Sequence, residues 1–299
     1  MRAAVYTQTG DPVEVLSVAD VEEPHAGRGH VRVAVRAVGV NPVDWKIVTG
    51  VMGKAPDAPV VPGIDAAGVV DEVGDDVEGV QVGDEVFGHA TGGSAAQYAV
   101  LSAWAHKPAA TCFEVAGALP VVGETAVRVL DLLGLGPGQT VVVHGASGGV
   151  GSVTAQLAVA RGLAVIGTAG QDNQDFVRSL GATPVVYGPG LVDRVRALTP
   201  NAVDGGVDTV GKGSVRDLIA LTGDPGSVVT IADFGAGELG VQVTTGGGGQ
   251  AQRLREIAEH LAAGRLDVPI AGTFPLDRIG AAYAESRGGH VRGKLVLVP

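Results

Sequence analysis

Val141-Val142-Val143-His144-Gly145-Ala146-Ser147-Gly148-Gly149-Val150-Gly151 is the stretch that decides the fold. An apolar β-branched run ends at a Gly-x-x-Gly-x-x-Gly turn, and a helical pattern follows, with Val150, Val153 and Leu157 spaced i, i+3 and i+7. Glycines let the backbone approach an anion, and the start of a helix adds the positive end of its dipole. The order strand, turn, helix therefore predicts a site for the pyrophosphate of a dinucleotide.

The residues beyond this turn predict a doubly wound α/β domain. Gly162 stands where a helix C-terminal cap is expected, and a second apolar run follows it. From about residue 113, helical periodicity alternates with short β-branched runs at 141–144, 163–168, 184–187, 205–210 and 227–231. This alternation predicts a parallel sheet with helices on both faces, which we place in a cofactor domain at 113–267.

The first part of the chain predicts a separate β domain. Val31, Val33 and Val35 alternate with more polar or smaller residues, the period of a half-buried strand. Further strands are expected at 66–73, 85–87 and 96–100, and the chain becomes strand-like again at 293–298. We therefore predict a domain at 1–112 that the segment 268–299 completes.

Composition and charge exclude several classes of protein. The 299 residues contain 21 Lys and Arg against 32 Asp and Glu, a formal charge of −11, which argues against broad binding to nucleic acid or anionic membranes. No apolar run approaches the roughly 20 residues that span a bilayer. A single cysteine, Cys112, excludes an internal disulfide and a multi-thiolate metal site. We expect a soluble cytoplasmic protein with no nucleic-acid or membrane partner.

Several further motifs stand along the chain: GVNPVDWK at 39–46, PVVPGIDAAG at 59–68, VGDEVFG at 82–88, LP at 119–120, DTVG at 208–211 and RGK at 292–294. Together with the glycine turn, they resemble the medium-chain dehydrogenase/reductase superfamily, in particular its zinc-independent quinone oxidoreductase branch. The resemblance covers nearly the whole chain. It implies a GroES-like β-barrel that carries the substrate, a Rossmann domain, and a cofactor in the cleft between them.

The residues at the metal positions of the zinc-dependent relatives differ here. Those relatives place a cysteine ligand in the region of Asn41-Pro42 and a His-Glu pair where this chain has Ile64-Asp65. Catalytic zinc needs about three soft or imidazole ligands. Ile64 cannot act as a ligand and Cys112 stands alone, so we predict no zinc.

The chemistry expected of such a site is hydride transfer to a conjugated acceptor. A quinone or an α,β-unsaturated carbonyl (enone) is already polarised, and its reduction needs only a hydrogen bond and a proton in addition to the hydride. Asn41 is a candidate donor to the carbonyl oxygen, and Lys46 a candidate for charge stabilisation or proton supply. Asp44 is a candidate to orient Asn41 or to hold Lys46. Structural alternatives are a turn at Asn41, a helix cap at Asp44 and a solvated charge at Lys46.

The nature of the cofactor is predicted from the end of the second strand of the α/β domain. Ala169 stands where enzymes that prefer NAD usually carry an acid, which favours NADPH, although Asp172 nearby leaves NADH possible. Thr125, Arg292 and Lys294 are cofactor contacts by resemblance. The other candidates come from the turn and from strand ends: Ser147, Gly148, Gly149, Val150, Gly151, Thr168, Gly170, Asn173, Tyr187, Val210, Asp233 and Phe234.

Three functions stay open from sequence. The first is an NADPH-dependent reductase of quinones or enones, the second a non-redox tailoring enzyme such as a cyclase, and the third a nucleotide-binding protein without catalysis. The resemblance also implies a homodimer, for which we expect edge strands near 228–231 to extend the sheet between subunits.

Overall fold

The computed structural model describes residues 1–199 and 202–299. Its strands are β1 (Arg2–Val5), β2 (Ser17–Asp20), β3 (Val31–Val40), β4 (Asp65–Val73), β5 (Glu85–Thr91), β6 (Tyr98–His106), β7 (Thr140–His144), β8 (Ala164–Ala169), β9 (Thr183–Val186), β10 (Gly205–Asp208), β11 (Val228–Thr230), β12 (Gln242–Val243), β13 (Ile270–Pro275) and β14 (Lys294–Val298). Its α-helices are α1 (Pro12–Val15), α2 (Pro42–Val48), α3 (Phe113–Gly117), α4 (Pro120–Leu133), α5 (Gly149–Ala160), α6 (Gln174–Ser179), α7 (Leu191–Leu198), α8 (Ser214–Thr222), α9 (Gln250–Ala262) and α10 (Ile279–Gly288).

The described residues pack into two compact units. Unit 1 comprises Met1–Glu124, Gly249–Ala263 and Val268–Pro299, and unit 2 comprises Thr125–Gly248 with Gly264–Asp267. The predicted boundary at 112/113 differs from this division because α3 packs on β3 and β4. Helix α9 likewise packs on β6, although the sequence placed it in the cofactor domain. Residues 268–299 belong to unit 1.

Unit 1 is built around a β-barrel sheet. Within the described chain its strands run in the order β13-β14-β3-β4-β5-β6, and β3 also pairs with β6, which closes the sheet. Val31, Val33 and Val35 point into the core while Arg32 and Arg36 lie on the other face, as the alternation predicts. This confirms the expected GroES-like barrel. The strands β5 and β6, however, extend to Thr91 and His106, beyond the predicted ends at 87 and 100.

Unit 2 contains a parallel sheet of doubly wound topology. Among the described residues the strand order is β9-β8-β7-β10-β11-β12, with parallel pairing at each step. The order reverses between β7 and β10, and in such sheets ligands bind outside the carboxyl ends of the strands at the reversal. The predicted Rossmann domain is confirmed, and the glycine turn, residues 145–151, follows β7 at this point.

The prediction that the strand near 228–231 lies at an edge of the sheet is wrong. Strand β11 lies between β10 and β12, so its backbone groups are paired on both sides. The sequence could not show this because β12 contains only Gln242 and Val243, too few residues for a visible period. None of the helices in the described part of the chain is long and apolar enough to cross a membrane.

Candidate functional site

The glycine turn brings the backbone of β7 and of α5 into close contact. Gly145 has a φ of +85°, which disfavours other residues, and its carbonyl accepts a hydrogen bond from the Gly148 N–H at 3.0 Å. A Cβ atom on Gly151 would lie 2.1 Å from the Gly145 carbonyl oxygen. Glycine is therefore required at 151 by the approach of α5 to the turn, as the spacing of the motif predicts.

The same turn presents backbone amides at the start of α5. Gly148 is the N-cap, and the first helical hydrogen bond runs from the Ser152 N–H to the Gly148 carbonyl at 2.9 Å. The amides of residues 149–151 precede that bond and are the donors that a helix leaves for an anion. Ser147, Gly148, Gly149 and Val150 are half-buried, which suits a surface cradle for a diphosphate.

Thr168 holds this turn from the neighbouring strand. Its hydroxyl accepts a hydrogen bond from the Gly145 N–H at 3.2 Å and lies 2.8 Å from His144 Nδ1, while its carbonyl accepts from Ala146 at 2.9 Å. Burial lowers the pKa of His144, which favours the neutral imidazole. Thr168, predicted as a cofactor contact, is fully buried and supports the turn from behind.

A half-exposed aromatic ring lies at the ends of β8 and β9. Tyr187 is 51% exposed, and its ring is 3.8 Å from the position of a Cβ on Gly170. Its loop is held by Arg194, whose guanidinium donates to the carbonyls of Val186, Gly188 and Pro189. The ring is thus presented to solvent on a fixed backbone, an arrangement that suits stacking against a planar base.

The remaining candidates near β8 are polar or acidic. Asn173 is half-buried and its N–H donates to the Gly170 carbonyl at 3.0 Å. Asp172 is exposed, and the nearby cation Arg178 forms an ion pair with Asp175. Asp172 therefore adds one negative charge near this strand end.

Asp208, whose role sequence reasoning missed, organises the end of β10. One carboxylate oxygen accepts from the N–H groups of Val210 and Gly211, both at 3.0 Å, and from the Ser214 hydroxyl. The other oxygen accepts from the Thr230 hydroxyl at 2.6 Å. Thr230 in turn accepts from the N–H of Asp233 at 3.0 Å. One buried carboxylate thus fixes the backbone at two strand ends, beside the exposed side chains of Val210 and Phe234.

Thr125 and Arg292, two further predicted cofactor contacts, belong neither to the glycine turn nor to these strand ends. Thr125 is buried and its hydroxyl accepts from Arg128 at 3.2 Å, while the same guanidinium bonds to the Thr244 hydroxyl. Arg292 is exposed and belongs to unit 1.

A cluster of buried polar side chains lies in unit 1, and we call Asn41, Asp44, Asp65 and Lys294 the buried cluster. Lys294 donates from Nζ to Asn41 Oδ1 at 2.5 Å, and Asn41 donates from Nδ2 to Asp65 Oδ2 at 2.8 Å. Asp44 accepts a hydrogen bond from the backbone N–H of Asn41 at 2.8 Å. It thus caps the first turn of α2, the structural role that the sequence offered as the alternative to catalysis. All four residues are at most 4% exposed.

The electrostatics of the buried cluster depend on burial and on one cation. Burial raises the pKa of Asp44 to about 7, the charge of Asp65 adds to the rise, and Lys294 opposes it. Burial also raises the pKa of Asp65, against the attraction of Lys294. The pKa of Lys294 is lowered by burial, which its attraction to the two carboxylates opposes.

The positions of Lys294 and Asp65 in the structure differ from those that the sequence predicted. Lys294 was expected at the cofactor, but its ammonium group is bonded to Asn41 and to the Val40 carbonyl inside unit 1. Asp65 was considered only as a missing metal ligand, whereas it also accepts the Val121 N–H at the start of α4, at 2.8 Å. A signal was available, because each residue begins a strand and is followed directly by a run of mostly buried apolar residues.

Lys46 differs from the other two catalytic candidates. It is half-buried, and its ammonium group lies 5.7 Å from the centre of the Trp45 ring. It takes no part in the buried cluster, which corrects the expectation that Asp44 holds Lys46. Of Asn41, Asp44 and Lys46, only Lys46 is accessible to a ligand.

The donor set of unit 1 does not fit a catalytic zinc ion. Asn41 and Asp65, in the regions where zinc-dependent relatives carry ligands, bond to each other, and the Lys294 ammonium group bonds to Asn41. A buried ammonium group at this point repels a divalent cation. Over residues 1–199 and 202–299, no three His, Cys, Asp or Glu side chains form a group that could hold a metal.

Comparisons with known proteins agree with this architecture. The family model described as "Alcohol dehydrogenase GroES-like domain" matches residues 27–108, and the one described as "Zinc-binding dehydrogenase" matches residues 180–297. A 2-methylene-furan-3-one reductase of Solanum lycopersicum is 32% identical over all of this chain and 79% of its own length.

Two further similarities extend over nearly complete chains. A quinone oxidoreductase of Homo sapiens is 29% identical over 100% of this chain and 98% of its own. A mycobacterial protein solved in complex with NADPH is 26% identical, covers 100% of both chains and has a TM-score of 0.88. The chain belongs to the medium-chain dehydrogenase/reductase superfamily, in its quinone oxidoreductase branch.

Proposed function

We propose that this protein is an NADPH-dependent oxidoreductase that transfers hydride to a quinone or an enone. The observation that carries the proposal is the glycine turn at the reversal point of the parallel sheet, with the amides of residues 149–151 placed before the first helical hydrogen bond. The printed names of the relatives, a quinone oxidoreductase and an enone reductase, support the same chemistry.

In this proposal the residues of unit 2 bind the dinucleotide. The amides of residues 149–151 hold the pyrophosphate, Ser147 and Gly148 lie beside it in the turn, and Tyr187 stacks on the adenine. Gly170 and Asn173 face the adenosine ribose. Thr125, Val210, Asp233 and Phe234 line the nicotinamide end. The reduced nicotinamide, when bound, supplies the hydride.

Preference for NADPH is supported by Ala169, which ends β8 in place of a carboxylate. NADH is the alternative, because Asp172 adds negative charge to that strand end. Arg292, exposed in unit 1, remains a proposed cofactor contact.

The catalytic candidates receive different roles from their burial. Lys46 is the side chain that we assign to the substrate carbonyl, where its ammonium group would stabilise negative charge that develops on oxygen. Asn41 is 1% exposed and its amide is bonded to Lys294 and Asp65, so we assign it, with Asp44, to holding the segment that begins α2. No step is assigned to a metal, because the residues do not fit one.

The proposal is tested by following NADPH absorbance at 340 nm with purified protein, one quinone and one enone. We expect loss of absorbance that depends on the acceptor, and a stoichiometric reduced product. Replacing Lys46 with Met should lower kcat by roughly 10-fold to 100-fold, since one charge-stabilising group is lost. Lys54→Met, at an exposed lysine soon after α2, is the matched control and should leave kcat unchanged.

Each alternative function has its own outcome in this experiment. Product without consumption of NADPH would indicate a non-redox tailoring enzyme. Tight nucleotide binding without turnover would indicate a non-catalytic protein. If calorimetry detects neither NADPH nor NADH, or if the protein carries stoichiometric zinc, the proposal is wrong.

We also propose a cytoplasmic homodimer with a small-molecule substrate. Because β11 is interior, an extended sheet between subunits would use β12 or β9, which lie at the two ends of the strand order. Light scattering of the eluting protein measures the mass of the particle directly.

A further inference from the structure

We propose that Lys294, on β14, is a positioning residue for the site in unit 1: its ammonium group and the Asp65 carboxylate fix the amide of Asn41, and through it the first turn of α2. This inference rests on the proposed function, in which Lys46 of α2 contacts the substrate. It gives Lys294 a role different from the cofactor contact that the family resemblance implies.

The pairing of β14 with β3 brings Lys294 to Asn41. Leu295 lies opposite Val40 in the antiparallel register, so residue 294 lies where β3 ends and the chain turns into α2. The Lys294 ammonium group donates to the Val40 carbonyl at 2.8 Å as well as to Asn41. Lysine is almost never fully buried unless it is paired, so a buried lysine with two bonds to one turn indicates a specific role there.

The orientation of the Asn41 amide follows from its two partners. An ammonium group can only donate hydrogen bonds, and an ionised carboxylate can only accept them. Lys294 therefore requires Oδ1 on its side, and Asp65 requires Nδ2 on the other. The reversed amide would place its NH₂ against the ammonium group and its oxygen against the carboxylate.

The amide is connected directly to α2. The backbone N–H of Asn41 donates to Asp44, three residues later in the helix, and Trp45 and Lys46 follow in the same turn. Asp65 is itself anchored, because its second oxygen accepts the Val121 N–H of α4. The direction in which Lys46 leaves the helix thus depends on a contact made by β14.

The charges around Asp44 give this role a readout. Asp65 on β4 and Lys294 on β14 are the charges that affect the pKa of Asp44. Tyr283 of α10 lies near Asp44, and Tyr6 lies near Tyr283. His89 of β5 affects the pKa of Asp65. In the described part of the chain, Asp44 Oδ1 and the Tyr283 hydroxyl have no hydrogen-bond partner. Lys294 lowers the pKa of Asp44 and Asp65 raises it. Removing Lys294 should therefore raise the pKa of Asp44, and removing Asp65 should lower it.

The experiment measures Trp45 fluorescence against pH in a Trp104→Phe background, which leaves Trp45 as the only tryptophan. We expect a transition from the ionisation of Asp44, the residue that precedes Trp45 in the chain, and its measurement requires no turnover. We expect Lys294→Met to raise the midpoint by about one pH unit or more, and Asp65→Asn to lower it. The double variant Asp65→Asn/Lys294→Met loses one charge of each sign and should return toward the parent midpoint.

Kinetics on the enone that the wild type reduces measure the positioning itself. We expect Lys294→Met to lower kcat by as much as about 100-fold through misplacement of Lys46, with the NADPH Kd unchanged. Lys294→Arg keeps the charge and should recover part of kcat and the parent midpoint.

The possible outcomes separate the two proposals. An unchanged midpoint in both Lys294→Met and Asp65→Asn overturns the positioning role, as does an unchanged kcat in Lys294→Met. If Lys294→Met does not fold, the midpoint of Asp65→Asn and the kcat of Lys294→Arg decide whether the positioning role stands. If the wild type reduces no acceptor, the proposed function fails, while opposite shifts of the midpoint still support the coupling of Lys294 to Asp44.

Discussion

The glycine turn of unit 2 and the buried cluster of unit 1 control charge by opposite means. The turn uses no ionisable side chain: backbone amides and the start of α5 supply its positive potential. The buried cluster uses two carboxylates and an ammonium group, taken from the start of α2 and from β4 and β14. The turn lies in one continuous segment, whereas Asn41 and Lys294 are 253 positions apart in the chain.

This difference determines which kinds of change each region tolerates. In the turn, an added atom is harmful because the backbone of α5 already lies against the backbone of residue 145. In the buried cluster, an altered charge is harmful because each remaining charge is buried without its partner. The predictions below test this contrast with steric, electrostatic and surface changes.

Gly151→Ala should have the largest effect. The added Cβ would lie 2.1 Å from the Gly145 carbonyl oxygen, so α5 and the turn must separate. We expect nucleotide affinity to fall by at least about 1000-fold, roughly 4 kcal/mol, in calorimetric titration. Gly136→Ala is the control, since its Cβ would lie 3.8 Å from the nearest atom, Gln139 Oε1, and affinity should not change. Normal affinity in Gly151→Ala would contradict the steric argument.

The stability of the protein should depend on pH through Asp44. Its pKa in the folded protein, about 7, lies above its ordinary value of 3.8, so the folded state binds more protons between these pH values. The contribution of Asp44 to stability is therefore fully present below pH 3.8 and is lost as pH rises through 7. We expect the wild type to lose about 2 kcal/mol of unfolding free energy between pH 5 and pH 8, measured with denaturant.

Asp44→Asn tests this assignment. The amide oxygen still accepts from the Asn41 N–H but cannot ionise, so the slope of stability against pH should decrease. Asp20→Asn, at an exposed position on β2, is the charge-matched control and should keep the wild-type slope. An Asp44→Asn protein with the full slope would show that another group titrates.

Tyr187→Ala should have the smallest effect. The ring is half-exposed and, in the proposed function, would stack on one side only, so we expect nucleotide affinity to fall about 5-fold, or about 1 kcal/mol. Tyr187→Phe retains the ring and should bind as the wild type does. Loss of affinity in Tyr187→Phe, for NADPH but not NADH, would instead indicate a contact from the hydroxyl.

The fold could be predicted because its signals are local. The alternation at Val31, Val33 and Val35 and the strand-turn-helix order at 141–151 each lie within about a dozen residues. Strand ends were less accurate, as β5 and β6 show, because pairing with neighbours extends a strand beyond its own pattern. The two-residue strand β12 left no pattern at all, which led to the wrong edge strand.

The site could be predicted only in part, for the same physical reason. The backbone amides of 149–151 follow from the local motif. The partners of Asn41 do not, because Asp65 and Lys294 reach it through β4 and β14, and their pairing is known only from the folded sheet. Asp208 was noticed as part of a motif, and three of its hydrogen bonds come from nearby residues of the chain. The fourth comes from Thr230 and depends on the pairing of β10 with β11.

The contact between Lys294 and Asn41 also has a consequence for biosynthesis. The ribosome synthesises Asp44 and Asp65 long before it reaches residue 294, so the growing chain carries these two carboxylates without their cation. They cannot be sequestered from water as ions at that stage, and the end of the barrel near α2 must stay hydrated or protonated until β14 adds to β3. Arrival of the late strand therefore completes the maturation of the first unit after most of its barrel has been synthesised.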